Sequence, residues 1–182
     1  MDTKSLWQAC AAFHGHECGG LTIGFKAALY AVELLGLTPA QVGDGRCISR
    51  DEEIVCVTEN DACGVDTIQV LLGCTAGKGN LIFRLRGKQA YTFYRRDTGR
   101  GVRLSLRPRP EGMTRAESFD YYQAMAPRDM FDVKEAALPL PEKARLFDSV
   151  TCPLCGESTG LPWTAELDGQ PVCLDCLDKQ RA

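Results

Sequence analysis

Leu6, Cys10 and Phe13 recur at helical spacing behind Ser5, a candidate N-cap, and predict a first helix ending near His14-Gly15. A second helix is predicted from about Gly20 to Leu35. Its apolar stripe is Leu21, Phe25, Ala28, Leu29, Val32 and Leu35, and Gly36 is its stop. The run Glu53 to Glu59 is β-branched and mostly apolar, as in a buried strand. A third helix carries Val65, Ile68, Leu71 and Leu72 up to Gly73. Alternation then predicts three strands, with Leu81/Phe83/Leu85, Tyr91/Phe93 and Val102/Leu104/Leu106 facing one way. Turns fall at Gly87-Lys88 and Asp97 to Gly101, which gives an antiparallel meander with one buried and one basic face.

Pro108 and Pro110 end that sheet. Thr114 and Glu117 make a capping-box pattern for a helix with Phe119, Tyr122 and Met125 on one side, and Pro127 opens another short helical piece. Leu138-Pro139-Leu140-Pro141 reads as a linker, and a small module follows from about Phe147. The expected organisation is an α+β core domain, residues 1–146, of helices packed on a mainly antiparallel sheet, and a module, residues 147–182.

The chain's 182 residues suit one domain plus a small module, and no apolar run is long enough to cross a membrane. Met1 to Trp7 lacks the apolar core of a secretory signal, so the expected location is the cytoplasm. Ten cysteines are many for that setting; a disulfide scaffold is the alternative reading, but it suits short secreted chains and nothing in the sequence suggests secretion. Net charge is only −3, but Lys78 to Arg109 holds ten Lys or Arg and one acid, Asp97. That segment is either the solvated outer face of the sheet or a docking surface for an acidic partner, an anionic ligand or nucleic acid.

Cys152-Pro-Leu-Cys155 and Cys173-Leu-Asp-Cys176, seventeen residues apart, form a treble-clef or zinc-ribbon pattern. Each pair puts two thiolates on one turn, and four thiolates close the tetrahedron that Zn²⁺ prefers. The predicted Zn²⁺ is structural, since no coordination position stays open. It explains how a segment too small for its own core folds at all.

The other chemistry lies at two helix joints. His14 and His16, the only histidines of the chain, alternate with Cys18 in a glycine-rich stretch. Imidazole and thiolate suit Zn, Ni, Cu or Fe; the alternative is a helix joint with satisfied side chains. At the second joint, Glu59, Asp61 and Cys63 add two carboxylates and a thiol, or Asp61 simply caps the helix. Asp66 and Gln69 follow on the same helix and are placed to line the same cleft. Thr75, Lys78 and Asn80 sit in a glycine-rich turn suited to an anionic ligand, although the Walker spacing is absent. A zinc-deaminase signature is also absent, because position 16 is His where that pattern requires Glu.

Three blocks together resemble the FmdE family of formylmethanofuran dehydrogenase proteins. They are Phe13-His14-Gly-His16-Glu-Cys18-Gly-Gly-Leu21, Asn60-Asp-Ala-Cys63-Gly-Val-Asp66-Thr-Ile-Gln69 and Gly73-Cys-Thr-Ala-Gly-Lys-Gly-Asn80. They anchor roughly the first hundred residues, and the C-terminal module resembles the auxiliary finger of some members. The resemblance implies an α+β core, a tethered finger, a homodimer, and a cavity lined by the His, Cys and Asp positions. Family members are encoded beside molybdenum or tungsten formylmethanofuran dehydrogenases, which names an operon association more than a reaction.

On this basis His16, Cys18 and Cys63 are expected to bind a second transition metal of unknown identity. His14 is then a fourth ligand or a base behind the ligands, and Asp61 orients a histidine or moves a proton. Thr75, Lys78 and Asn80 are the expected contacts of an anionic cofactor. Such a core has a catalytic or an accessory role in one-carbon metabolism. The alternatives are metal delivery or assembly of a molybdenum or tungsten enzyme, and regulation through the finger and the basic face. Protein is the favoured partner over nucleic acid, because no Lys or Arg lies between Cys152 and Cys176.

Overall fold

The computed structural model describes residues 3–37 and 49–181; Cys47 lies outside them. The described chain divides into two compact units, 1–143 and 144–182, three residues before the expected boundary.

The core unit opens with α1 (Thr3–His14) and α2 (Gly19–Leu34). Ser5 sits inside α1, so the expected cap is displaced. Phe13, read as part of the buried stripe, is 59% exposed. Helix α2 is more apolar than a one-sided stripe: Leu21, Ile23, Phe25, Ala27, Ala28 and Ala31 are all buried. A helix apolar on several sides must be covered on several sides, and α2 packs against α1, α3 (Gly64–Leu72) and α4 (Arg115–Ala124). Helix α3 stops at Gly73, whose left-handed backbone (φ 67°) suits glycine. Helix α4 opens with the full capping box: Glu117 N–H donates to Thr114 Oγ1, and Thr114 N–H donates to Glu117 Oε2.

The sheet consists of β1 (Ile54–Thr58), β2 (Leu81–Phe83), β3 (Ala90–Arg95), β4 (Gly101–Leu106) and β5 (Phe131–Glu135), in the order β2-β1-β3-β4-β5. The predicted meander needs correction at its first member. β2 pairs parallel with β1 at the sheet edge, reached through α3, and β1 is the antiparallel neighbour of β3. Parallel strands need a long crossover, and α3 with its flanking loops supplies it. β2 is also short, with Phe83 and Leu85 exposed. β5 had no periodic signal because only Phe131 is buried along it. A four-residue helix, α5 (Pro127–Met130), leads into it.

Period-two alternation splits the strands between two faces. Ile54, Cys56, Tyr91, Phe93, Val102 and Leu104 belong to the core shared with the helices. Val55, Val57 and Tyr94 form a second cluster with Ile82, Ala136 and Leu140. The expected linker is therefore a strap across the back of the sheet. Tyr94 Oη donates to the Leu138 carbonyl (2.9 Å), and Arg96 donates to those of Pro141 (2.7 Å) and Glu142 (3.1 Å). Burial on both faces explains why Glu53 to Glu59 reads as a continuous apolar run.

Part of the basic segment is paired with carboxylates. Arg103 grips the buried Glu59 (8% exposed) through Nε–Oε1 at 2.6 Å and Nη2–Oε2 at 3.0 Å. Arg96 pairs with Glu52, Arg95 with Asp97 and Arg107 with Asp132. These four guanidiniums are engaged in internal ion pairs.

The C-terminal unit has two hairpins, β6 (Ser149–Thr151)–β7 (Ser158–Gly160) and β8 (Thr164–Leu167)–β9 (Gln170–Cys173), followed by α6 (Leu174–Arg181). The first cysteine pair follows β6. The second spans the end of β9 and the first turn of α6, which is treble-clef order. Phe147 packs edge-on against Trp163, with ring centroids 4.8 Å apart.

Candidate metal centres and the adjoining cleft

The Sγ atoms of Cys152, Cys155, Cys173 and Cys176 all lie within 4.8 Å of one another, and Cys155 and Cys173 are 3.9 Å apart. Tetrahedral Zn–S bonds of about 2.3 Å put sulfurs about 3.8 Å apart, so the donor set fits Zn²⁺. Electrostatics agree. The backbone N–H of Cys173 points at Cys152 Sγ (3.5 Å), and with the Cys155 amide it draws that thiol down to about 6. Cys176 is pushed up to about 12, first by its hydrogen bond with Cys173. Thiols this close cannot all ionise without a cation among them.

The core cluster forms where two helix N-termini cross. Gly20 and Gly24 of α2 meet Gly64 of α3. A Cβ on Gly24 would stand 2.0 Å from the Gly64 carbonyl oxygen, and one on Gly64 would stand 2.6 Å from Tyr91 Oη. Only glycine lets these backbones approach so closely. The crossing brings together Cys18, the N-cap of α2, and Cys63, the N-cap of α3. Cys18 Sγ accepts from the Leu21 amide at 3.3 Å. His14 Nε2 lies 4.0 Å from Cys18 Sγ, and all three donor atoms fall within 4.8 Å of one another.

His14 is fixed from behind. Its Nδ1 is 2.7 Å from Asp66 Oδ2, and Gln69 Nε2 donates to Asp66 Oδ1 at 3.2 Å. A carboxylate on Nδ1 holds the proton there and leaves the Nε2 lone pair facing the thiols, the arrangement of a carboxylate–histidine–metal triad. Cys63 is pushed up by burial and then by its hydrogen bond with Cys18. The packing cysteines shift in the same direction. Burial alone pushes Cys10 up to about 12, and burial together with Cys74 raises Cys56.

The other expected site residues lie outside the three-donor group, although His16 lines the same cavity as Cys18 and Cys63. His16 is exposed and outside the three-donor cluster, its ring 4.5 Å from that of His14. Asp61 is also exposed, and the histidine-orienting carboxylate is Asp66. Alternation in a glycine-rich stretch does not reveal which histidine turns inward; the end of α1 decides it. Asp66 falls one helical turn after Cys63, a spacing that flagged it for the cleft without revealing its partner.

Asn80 is buried and donates to the carbonyls of Asp51 (3.1 Å) and Ile54 (2.9 Å), while its Oδ1 accepts from the Thr75 amide (2.9 Å). Lys78 Nζ donates to the Ser49 carbonyl (2.9 Å), and Thr75 Oγ1 accepts from the Lys78 amide (3.3 Å). These three residues pin the 73–80 turn to the start of β1.

A cavity of about 1070 Å³ opens beside the core cluster, and Cys18 and Cys63 both line it. Its far wall is the end of β4 and the first turns of α4. The family resemblance implied a cavity at the His and Cys positions, and His16, Cys18 and Cys63 do line this one; its β4 and α4 wall was not legible, because those segments lie far away in the chain.

The family model for FmdE, the molybdenum formylmethanofuran dehydrogenase operon protein, matches residues 13–139. The chain belongs to the FmdE family. A probable S-adenosyl-L-methionine-binding protein of Archaeoglobus fulgidus is 28% identical over 90% of this chain. The chain spans about half (50%) of the length of that curated relative. An FmdE-like protein of the tungsten formylmethanofuran dehydrogenase type, from Syntrophus aciditrophicus, shares the fold, with a TM-score of 0.68 at 23% identity, over 100% of this chain and 95% of the other. This FmdE protein thus combines the family's core with a four-cysteine module. No described helix is long and apolar enough to cross a membrane.

Proposed function

We propose that this FmdE protein carries a ligand-accepting metal centre in its core and a structural Zn²⁺ in its finger. The observation that supports the core centre is three convergent donors, His14 Nε2, Cys18 Sγ and Cys63 Sγ, with His14 oriented by Asp66. Imidazole and thiolate donors fit Zn²⁺ and softer transition ions. Three protein ligands leave a fourth position, the hallmark of a site that takes water or substrate. A metal bound there supplies Lewis-acid polarisation of whatever occupies that position. The chain's own part is to hold the thiols together through the glycine crossing, fix the imidazole tautomer, and shelter the cluster behind α2 and α4.

The test is metal stoichiometry of the full chain, purified without oxygen or added metal. The expected value is about two ions per chain, falling to about one in the Cys18→Ser/Cys63→Ser variant. A variant that keeps both ions overturns the core assignment.

The service of this centre to a molybdenum or tungsten dehydrogenase system follows the family's operon association. A homodimer is the accompanying proposal. It is supported by the exposed Leu146, Leu154, Leu161, Trp163 and Leu174 of the finger, which a second copy would cover. A monomeric mass by light scattering at micromolar concentration would refute it. Nucleic acid is disfavoured, because Arg95, Arg96, Arg103 and Arg107 are already paired with carboxylates.

A further inference from the structure

The cleft beside the core cluster is lined by unbalanced charge. Its one carboxylate is Glu17, and that group already accepts a hydrogen bond from the Trp7 indole (2.7 Å). Opposite stand Arg107, Arg109 and Arg115. Arg107 is neutralised by Asp132 at 2.8 Å. Arg109 and Arg115 make no ion pair among the described residues, and both are exposed at the cleft mouth. This separates them from Arg95, Arg96, Arg103 and Arg107, each of which has an acidic partner.

The interior has a different character. Ile23 and Tyr122 are buried, and Phe119 and Met113 are half-buried on the same wall. Cys18 and Cys63 close one end, where Gly19 and Gly20 of the sixteen-residue α2 also line the cavity. The amides of that first helical turn add positive potential at the thiol end. A cavity near 1000 Å³ accommodates a ligand of coenzyme-fragment size.

We infer that this cleft binds an organic anion, with its phosphate or carboxylate between Arg109 and Arg115 and its apolar body on Ile23, Met113, Phe119 and Tyr122. Guanidinium is the side chain suited to either anion, because its planar fork offers paired donors. The apolar wall excludes a free inorganic anion as the whole ligand, since it would leave those side chains unused. The inference deepens the metal-centre reading by naming the class of ligand delivered to it. The arginine end stands on its own observations.

The probe is 8-anilinonaphthalene-1-sulfonate, an aromatic body with one fixed negative charge, titrated against the full chain by calorimetry with its uncharged parent N-phenyl-1-naphthylamine alongside. The expected result is one saturable site for the sulfonate, weakened at least about tenfold in Arg109→Gln/Arg115→Gln. It is unchanged in the surface control Arg84→Gln/Arg128→Gln. Glu17→Gln keeps the oxygen that accepts from Trp7 and removes the only acid of the lining, so it tightens binding.

Equal affinity for the uncharged parent, or no loss in the Arg109/Arg115 variant, overturns the inference. Should that variant fold poorly, Glu17→Gln decides, and no gain in affinity there counts against the inference. Phosphate monoester and carboxylate competitors of matched size then separate the two anion sources. The Cys18→Ser/Cys63→Ser variant separates this inference from the metal reading: lost metal with retained dye affinity leaves both standing, and retained metal with retained dye affinity removes only the metal reading.

Discussion

The four thiols of the finger and the His14–Cys18–Cys63 cluster of the core draw on similar donor atoms, yet the first offers four donors and the second three. The finger's four cysteines come from two short turns within 25 residues, and little in that unit is buried beyond Cys152, Cys173, Cys176, Val172 and Leu177, with Cys155 exposed. On the proposed reading its fold and its metal are one thermodynamic event. The core cluster sits on a unit with a large apolar core of its own. On the same reading it does not need metal in order to fold, and can leave a coordination position open. The difference teaches that a metal site's chemistry depends on whether the surrounding fold is stable without it.

The sharpest break of that comparison is Cys152→Ser, or strong chelator. Either is expected to unfold residues 144–182, at a cost on the order of 10 kcal/mol, and to leave the core intact. Hydrogen exchange resolved by segment would show protection lost in the finger alone. Loss of protection in both units would show that the core also depends on metal.

Next in size is Gly24→Ala, which drives a Cβ into the Gly64 backbone. The expected loss is at least about 3 kcal/mol in urea unfolding, with the core metal released and the finger metal kept. Wild-type stability in that variant would mean that α2 and α3 do not cross at these glycines.

Arg103→Gln strands the carboxylate of Glu59, the residue that leads into the Cys63 joint, at a cost of about 3 kcal/mol. In the wild type, the Arg103 hydrogen bonds hold the Glu59 carboxyl below its ordinary 4.5. A depressed folded value means that this stabilisation is complete above pH 4.5 and is lost as pH falls through the folded value. Acid titration of core stability should therefore be shallower in Arg103→Gln than in wild type. Identical slopes would remove the pair from the account.

Asp66→Asn should weaken core metal binding by about 10–100-fold in chelator competition while finger metal stays put. Unchanged core affinity would show that the Nδ1 contact does not support the ligand. The smallest effect is Thr114→Ala, which costs about 1 kcal/mol by removing the cap of α4. It tests whether the cleft wall loosens independently of the cluster, and thermal unfolding of the core reads it directly.

The four-cysteine cluster was legible because its spacing is local: two CxxC pairs need only their own turns to be recognised. The capping box at Thr114 and Glu117, the helix stop at Gly73 and the buried strand around Cys56 were legible for the same reason. Sequence also brought Cys18 and Cys63 to two helix N-termini. What it left open is long-range. The parallel pairing of β2, the strap over Val55, Val57 and Tyr94, and the partners of the sheet arginines depend on elements far apart in the chain. So does the inward turn of His14 toward Asp66, fifty-two residues on. Local periodicity carries information about which face of an element is apolar. Which element covers that face, and which histidine then meets which carboxylate, is settled only when the glycine crossing of α2 and α3 closes.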